Sequence, residues 1–297
     1  MPTPPPDTRA LTLFSAERTA ENQFQQGQPE KAVATIQGLL DIQVCSESDK
    51  GWYLQEMARY AYLNDKSESN NLQIAAHQKN RFLFKPRHGM KITNISAVGH
   101  KRIETIIDWG RTFDTPSELL LEIDDILGRL RFGVAADAFE AAVDELGRAL
   151  GFETQRPDKE WKQGPDNLWA LRDNQYLLIE CKNQVDKNRK EINKDESGQM
   201  NNSCAWFKKH YGDSPVKNMM VIWTRTVGQA AGFNAPVEIL TDSSLSRLSK
   251  NVRGFFGEFG KADLQNLSAT KIQANLKAYK LTVEDLLGHY SEKPKQL

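Results

Sequence analysis

Asp166 and Glu180 have side chains that could serve one cation together, with Lys182 beside them. Glu180 sits near the end of an apolar run, Tyr176–Cys181, that reads as a β-strand, and Lys182 follows it directly. Side chains alternate along a strand, so Glu180 and Lys182 share one face while Ile179 and Cys181 share the other. Asp166 opens the preceding strand-like stretch, whose apolar part is Leu168–Leu171. The separator, Arg172-Asp173-Asn174-Gln175, reads as a hairpin loop. A three-residue loop sets Asp166 opposite Glu180, whereas a two-residue loop sets it opposite Cys181 and diagonal to Glu180. Either register brings two carboxylates within reach of one cation. Two carboxylates and a peptide carbonyl, such as that of Cys181, make an oxygen-only donor set that suits Mg²⁺ or Mn²⁺.

These residues need elements to hold them. A helix over about 135–150 carries Glu140 beside an apolar stripe of Phe139, Val143, Leu146 and Leu150, and stops at Gly151. A second helix over about 195–210 carries Gln199, followed by strands at Met219–Trp223 and Val237–Leu240. Helix, hairpin, helix and strand in that order predict an α/β fold. Upstream, Thr115-Pro116-Ser117-Glu118 is a capping box with proline at the first helical position, and it starts a helix over 116–131. A further helix is predicted over 98–112. Before these, four helices are predicted between Thr8 and about Leu83. Their apolar positions include Leu11, Phe14, Ile36, Leu39, Trp52, Met57, Leu72 and a terminal Phe82. Helix pairs of this spacing resemble a single tetratricopeptide-type unit, without a second copy at a fixed period. Lys85-Pro86-Arg87-His88-Gly89 is punctuated as a linker. The predicted organisation is a helical adaptor at 1–95, linking helices at 96–132 and an α/β domain at 133–297.

Gly164-Pro165-Asp166, then thirteen residues, then Glu180-Cys181-Lys182 resembles the PD-(D/E)XK pattern of restriction-endonuclease-like nucleases, over about residues 133–240. The resemblance implies a mixed sheet flanked by helices and metal-assisted phosphodiester hydrolysis. It implies that Asp166 and Glu180 hold Mg²⁺ or Mn²⁺, with the Cys181 carbonyl completing the set and Glu140 as an accessory ligand. It also implies Lys182 as the group that stabilises the transition state, and Gln199 as a hydrogen-bond donor to the phosphate. Glu140 and Gln199 each have a plain alternative, since acids beside helix stripes and helix glutamines are often only solvated.

A broader likeness runs through GWYLQEMARYAYLND, LQIAAHQKNRFLFKP, RPDKEWKQGPDNLW and ESGQMNNSCAWF. These segments are similar to the C-terminal part of large bacterial DEAD/DEAH-box helicase-like proteins. The chain departs from them in lacking a G-x-x-x-x-G-K-[ST] loop, so ATPase activity is not carried over. That likeness implies a helicase or ATPase partner and a role in restriction of foreign DNA or phage defence.

Composition narrows the classes. The 297 residues hold 39 Lys+Arg against 39 Asp+Glu, so no global excess of positive charge marks a nucleic-acid binder. Residues 151–297 hold 22 basic and 18 acidic groups, which permits a locally basic groove; Lys182, Lys187, Arg189, Lys190 and Lys194 form one basic run. Five histidines without paired ligand spacing disfavour zinc, and Cys45, Cys181 and Cys204 make no disulfide framework. With no membrane-length apolar run and no apolar signal region in MPTPPPDTRA, a cytoplasmic protein is expected. Two readings stand beside the nuclease: a nuclease fold without chemistry that binds nucleic acid, and a helical adaptor that docks onto a helicase.

Overall fold

Serine and aspartate punctuate the N-terminal third. The computed structural model describes residues 8–41, 45–86, 92–96, 101–172, 174–186 and 188–296. Helices α1 (Thr8–Gln25), α2 (Pro29–Asp41), α3 (Glu47–Ala61) and α4 (Lys66–Lys79) follow one another. Ser46 and Asp49 form a reciprocal capping box at α3, and Asp65 caps α4 by accepting from Glu68 N–H. The four helices bury Ala20, Ile36, Tyr53, Met57, Tyr60 and Leu72 in one small core. The last helix stops at Lys79, where Asn80 turns to extended backbone, and the predicted terminal Phe82 is fully exposed. Residues 1–92 form one compact unit together with 159–162. Within it, Lys162 pairs with Asp65 at 2.6 Å, Lys159 with Glu30 at 3.1 Å, and Lys66 with Glu160. Four residues from the middle of the α/β sequence therefore belong to the helical unit. Arg87–Gly89 of the expected linker lie outside the described residues, as do Asp173 and Lys187.

Residues 93–158 and 163–297 form the second unit. It opens with α5 (Arg102–Gly110), α6 (Pro116–Arg129) and α7 (Ala136–Ala149). Strand β1 (Glu153–Gln155) comes next, then the short α8 (Pro157–Trp161), whose residues from Lys159 on belong to the helical unit, then β2 (Asn167–Arg172) and β3 (Gln175–Cys181). After them run α9 (Lys194–Tyr211), β4 (Val216–Val221), β5 (Thr226–Val227) and β6 (Val237–Leu240). The chain closes with α10 (Asp242–Gly257), α11 (Ala269–Ala278), α12 (Val283–Gly288) and β7 (Lys295–Gln296). The main sheet is mixed, in the order β1-β2-β3-β4-β6: the first three strands are antiparallel, and β4 and β6 add in parallel to β3. The α/β expectation holds at that level.

Strand β3 explains its own composition. Leu177, Ile179 and Cys181 face a core built by α5, α6, α7 and α10 through Ile106, Leu119, Ile123, Phe139, Leu146 and Phe255. Tyr176, on the opposite face, packs edge-on against Phe207 and Tyr211 of α9. A strand covered on both faces reads as a continuous apolar run rather than an alternating one. The segment assigned to linking helices differs from that expectation. Ile106, Leu119 and Ile123 lie in the same core as the sheet, because α5 and α6 carry strongly one-sided apolar faces that only the sheet side can bury. Helix α7 approaches the sheet closely at Gly147, where a β-carbon would lie 2.6 Å from the Trp169 ring. No helix of the described residues is long and apolar enough to cross a membrane.

Candidate metal and phosphate site

The hairpin decides the register. Asn167 faces Ile179 and Leu168 faces Leu178, which continues to Asp166 opposite Glu180. A bulge between Ala170 and Arg172 absorbs the extra residue of the turn, and Asn174 takes the left-handed conformation at φ 57° that a tight hairpin requires. Ahead of Asp166, Gly164 holds φ 97°, and a β-carbon there would meet Trp206 and Pro157 at 2.8 and 2.9 Å. Only glycine serves at that turn. Pro165 then delivers Asp166 to the sheet edge in a fixed direction.

Asp166 and Glu180 are 9% and 5% exposed, unusually low for carboxylates. Asp166 Oδ2 accepts from the Cys181 backbone N–H at 2.6 Å. The Lys182 ammonium stands 2.9 Å from Glu180 Oε1, 3.2 Å from the Cys181 carbonyl oxygen and 3.8 Å from Asp166 Oδ2. One cation thus sits among three oxygens from three different groups. Those are the oxygens the donor-set argument selects for a divalent ion, and here they surround a single positive charge. Among the described residues no three His, Cys, Asp or Glu side chains converge, so a peptide carbonyl supplies the third oxygen here.

The charges are strongly coupled. Burial and the neighbouring Glu180 charge push the Asp166 carboxyl up to about 8, against the opposing pull of Lys182. Burial alone would lower the Lys182 ammonium, but Glu180 and Asp166 outweigh it and hold its pKa above the ordinary value. Burial also raises the Cys181 thiol, which points into the apolar core and takes no part except through its backbone.

Glu140 lies on α7, half-buried, with its carboxylate on Arg156 at 2.9 Å; Arg156 also holds Asp137 at 2.8 Å. Burial raises the Glu140 pKa in spite of that pairing. Its charge acts on Asp166, but its hydrogen bonds run to Arg156. Gln199 is exposed on α9, and among the described residues no hydrogen bond ties it to the site. The side chain that α9 does bring to the site is Ser203, one turn later, whose Oγ donates to Glu180 Oε2 at 2.9 Å. Sequence reasoning passed over Ser203, although it shares the buried helical face of Met200 and Phe207. Two asparagines were also missed. Asn167 donates to the Glu140 carbonyl at 3.1 Å, tying β2 to α7. Asn183, directly after Lys182, donates to the Val134 carbonyl at 2.7 Å and accepts from Gly133 N–H at 2.9 Å through its own carbonyl.

Comparison with protein-family models, with curated proteins and with solved structures finds no match for the chain. The reading of the site therefore rests on its chemistry.

Proposed function

We propose that the second unit is a metal-dependent nuclease that hydrolyses phosphodiester bonds of nucleic acid, with DNA the expected substrate. The observation that carries this reading is the Lys182 ammonium held among Asp166, Glu180 and the Cys181 carbonyl at the end of β3. Asp166, Glu180 and the Cys181 carbonyl would hold Mg²⁺ or Mn²⁺, with Glu140 reaching the ion directly or through water. A bound divalent cation supplies Lewis acidity toward the phosphoryl oxygen and lowers the pKa of an attacking water. The protein's own part is positional and electrostatic. Lys182, held protonated by two acids, donates to a phosphoryl oxygen as negative charge builds there. Ser203 fixes the Glu180 carboxylate, leaving Oε1 for the cation. Gln199, exposed on α9, would meet a phosphate of the bound strand.

The mixed sheet with paired acids at adjacent strand ends supports a restriction-endonuclease-like core. The four-helix unit supports a tetratricopeptide-like adaptor that docks onto a helicase or ATPase partner, with a biological role in foreign-DNA restriction. The test is direct. The purified chain is incubated with plasmid, linear and single-stranded DNA in Mg²⁺, Mn²⁺ or EDTA. Cleavage in either metal that EDTA stops is the expected result. Binding without cleavage in every metal would replace the nuclease with a nucleic-acid-binding module.

A further inference from the structure

The carboxyl ends of β3, β4 and β6 lie along one edge of the sheet, because these strands are parallel and Cys181, Val221 and Leu240 are in register. Lys182 marks the β3 end of that edge. At the β6 end an open pocket of about 490 Å³ lies between the C-terminal end of α6 and the start of α10. Its lining carries Arg131, Lys250, Ser246 and Ser249. Among the described residues the Arg131 side chain bonds through Nε alone, to the Gly128 carbonyl at 2.8 Å. Among the described residues neither Arg131 nor Lys250 has a carboxylate partner. The third cation, Arg253, is taken by Asp124 at 2.7 Å, and Asp242 stands as an opposing acid on the wall.

This pocket is joined to the Lys182 site by rigid structure. Arg131 is followed by Phe132, whose ring packs on Trp223 at 4.3 Å, and by Gly133, whose N–H bonds the Asn183 carbonyl next to Lys182. Two strand spacings of about 4.8 Å separate β3 from β6 along that edge. Unpaired cations with hydroxyls recognise phosphate oxygens, and a further phosphate on the same strand as the reacting bond exists only in a polynucleotide.

We infer that the Arg131–Lys250 pocket anchors a second backbone phosphate of the nucleic-acid strand whose reacting bond is positioned at Lys182. The inference rests on the nuclease reading for the identity of the ligand, but its test does not depend on cleavage. Binding of a fluorescent 20-nucleotide duplex and its single strand is measured by anisotropy across a salt series in EDTA. The parent is compared with Arg131→Ala/Lys250→Ala, with Lys250→Glu, and with Lys277→Ala as an exposed control on α11. All these positions are exposed, so the fold survives. The double variant should weaken binding about tenfold and lower the log–log salt slope by about 1–2, uniformly across sequences. Lys250→Glu should weaken binding at least as much as loss of one contact, and Lys277→Ala should change neither value. Equal affinity and slope for parent and double variant would overturn the anchor, as would a parent that binds no nucleic acid. So would a variant that alters only competition by inorganic phosphate. A parent that binds through this pocket yet never cleaves in Mg²⁺ or Mn²⁺ would keep the anchor and remove the nuclease.

Discussion

Glu47 in the helical unit and Asp166 in the α/β unit each stand beside lysine, and their protonation is driven in opposite directions. Glu47 is on the surface of α3, bonded to Lys50 at 2.8 Å and to Lys79 at 2.6 Å. Those hydrogen bonds pull its pKa down to about 2. Asp166 has a lysine within 3.8 Å as well, yet burial and the charge of Glu180 drive it up to about 8. A carboxylate in water with cations near it is satisfied. A carboxylate buried beside another carboxylate, with one ammonium shared between two acids, lacks positive charge. The first arrangement decorates a helix. The second is a demand for a further cation, and Asp166 has that demand where Glu47 does not.

The sharpest way to break this contrast is to remove the demand. Asp166→Ala or Glu180→Ala should lower metal-dependent cleavage by at least about a thousandfold, because each deletes an oxygen of the cation's donor set. Plasmid nicking in Mg²⁺ and Mn²⁺ measures it. Lys182→Ala should abolish cleavage equally while leaving Mn²⁺ affinity largely intact, since an ammonium donates to phosphate and cannot ligate. If Asp166→Ala cleaves as fast as the parent, the activity belongs elsewhere.

The same demand fixes a pH dependence in metal-free protein. Asp166 has its folded pKa raised from 3.8 to about 8, so the native state holds a proton that the unfolded chain releases. Its contribution to stability is complete below about pH 4 and is lost as pH rises toward 8. Asp166→Asn keeps an oxygen to accept from Cys181 N–H and has nothing to titrate. In EDTA, the variant should therefore exceed the parent in stability at pH 8 by on the order of 5 kcal/mol, with the difference closing toward pH 4. Chemical denaturation at the two pH values reads the sign.

How much of this could be seen in the sequence follows the range of each interaction. Strand alternation placed Glu180 and Lys182 together, and spacing to Asp166 brought the second acid, because a hairpin is a local object whose register depends on a few residues. The Gly164-Pro165 turn and the Thr115 cap were legible for the same reason. Ser203 was not, since which helical residue touches Glu180 depends on how α9 is rotated over the sheet. Gln199 and Ser203 differ by one turn, and rotation alone decides between them. Glu140 posed a different problem: its position on α7 was readable, but its partner Arg156 comes from beyond β1. The membership of α5 and α6 in the sheet's core was hidden because an amphipathic helix states that it has a buried face, not what covers it.

That rotation supplies a smaller test. Ser203→Ala leaves Glu180 Oε2 buried without its donor, which should cost about 1–2 kcal/mol in stability. Freed to turn, the carboxylate should also lower cleavage by about tenfold. Gln199→Ala should leave stability unchanged, because its side chain is exposed and makes no bond within the site. Equal losses of stability in the two variants would mean that α9 presents a different face to β3.

The smallest expected effect closes the comparison. Glu47→Gln removes a surface charge that two lysines serve, with no desolvation to recover and full exposure to salt. The lowered folded pKa means that Glu47 contributes stability above its ordinary carboxylate range, and that this contribution fades as pH falls toward 2. Thermal midpoints of the variant and the parent should coincide at neutral pH in 0.15 M salt, the physiological value at which screening acts over about 8 Å. The parent should lead only slightly at low salt between pH 4 and 7. Lys50 and Lys79 keep water as partners once the charge is gone, so neither is stranded as Lys182 would be beside neutralised acids. A neutral-pH loss as large as that of Ser203→Ala would show that a shared surface carboxylate can matter as much as a buried one, and the contrast between the two units would no longer separate site from scaffold.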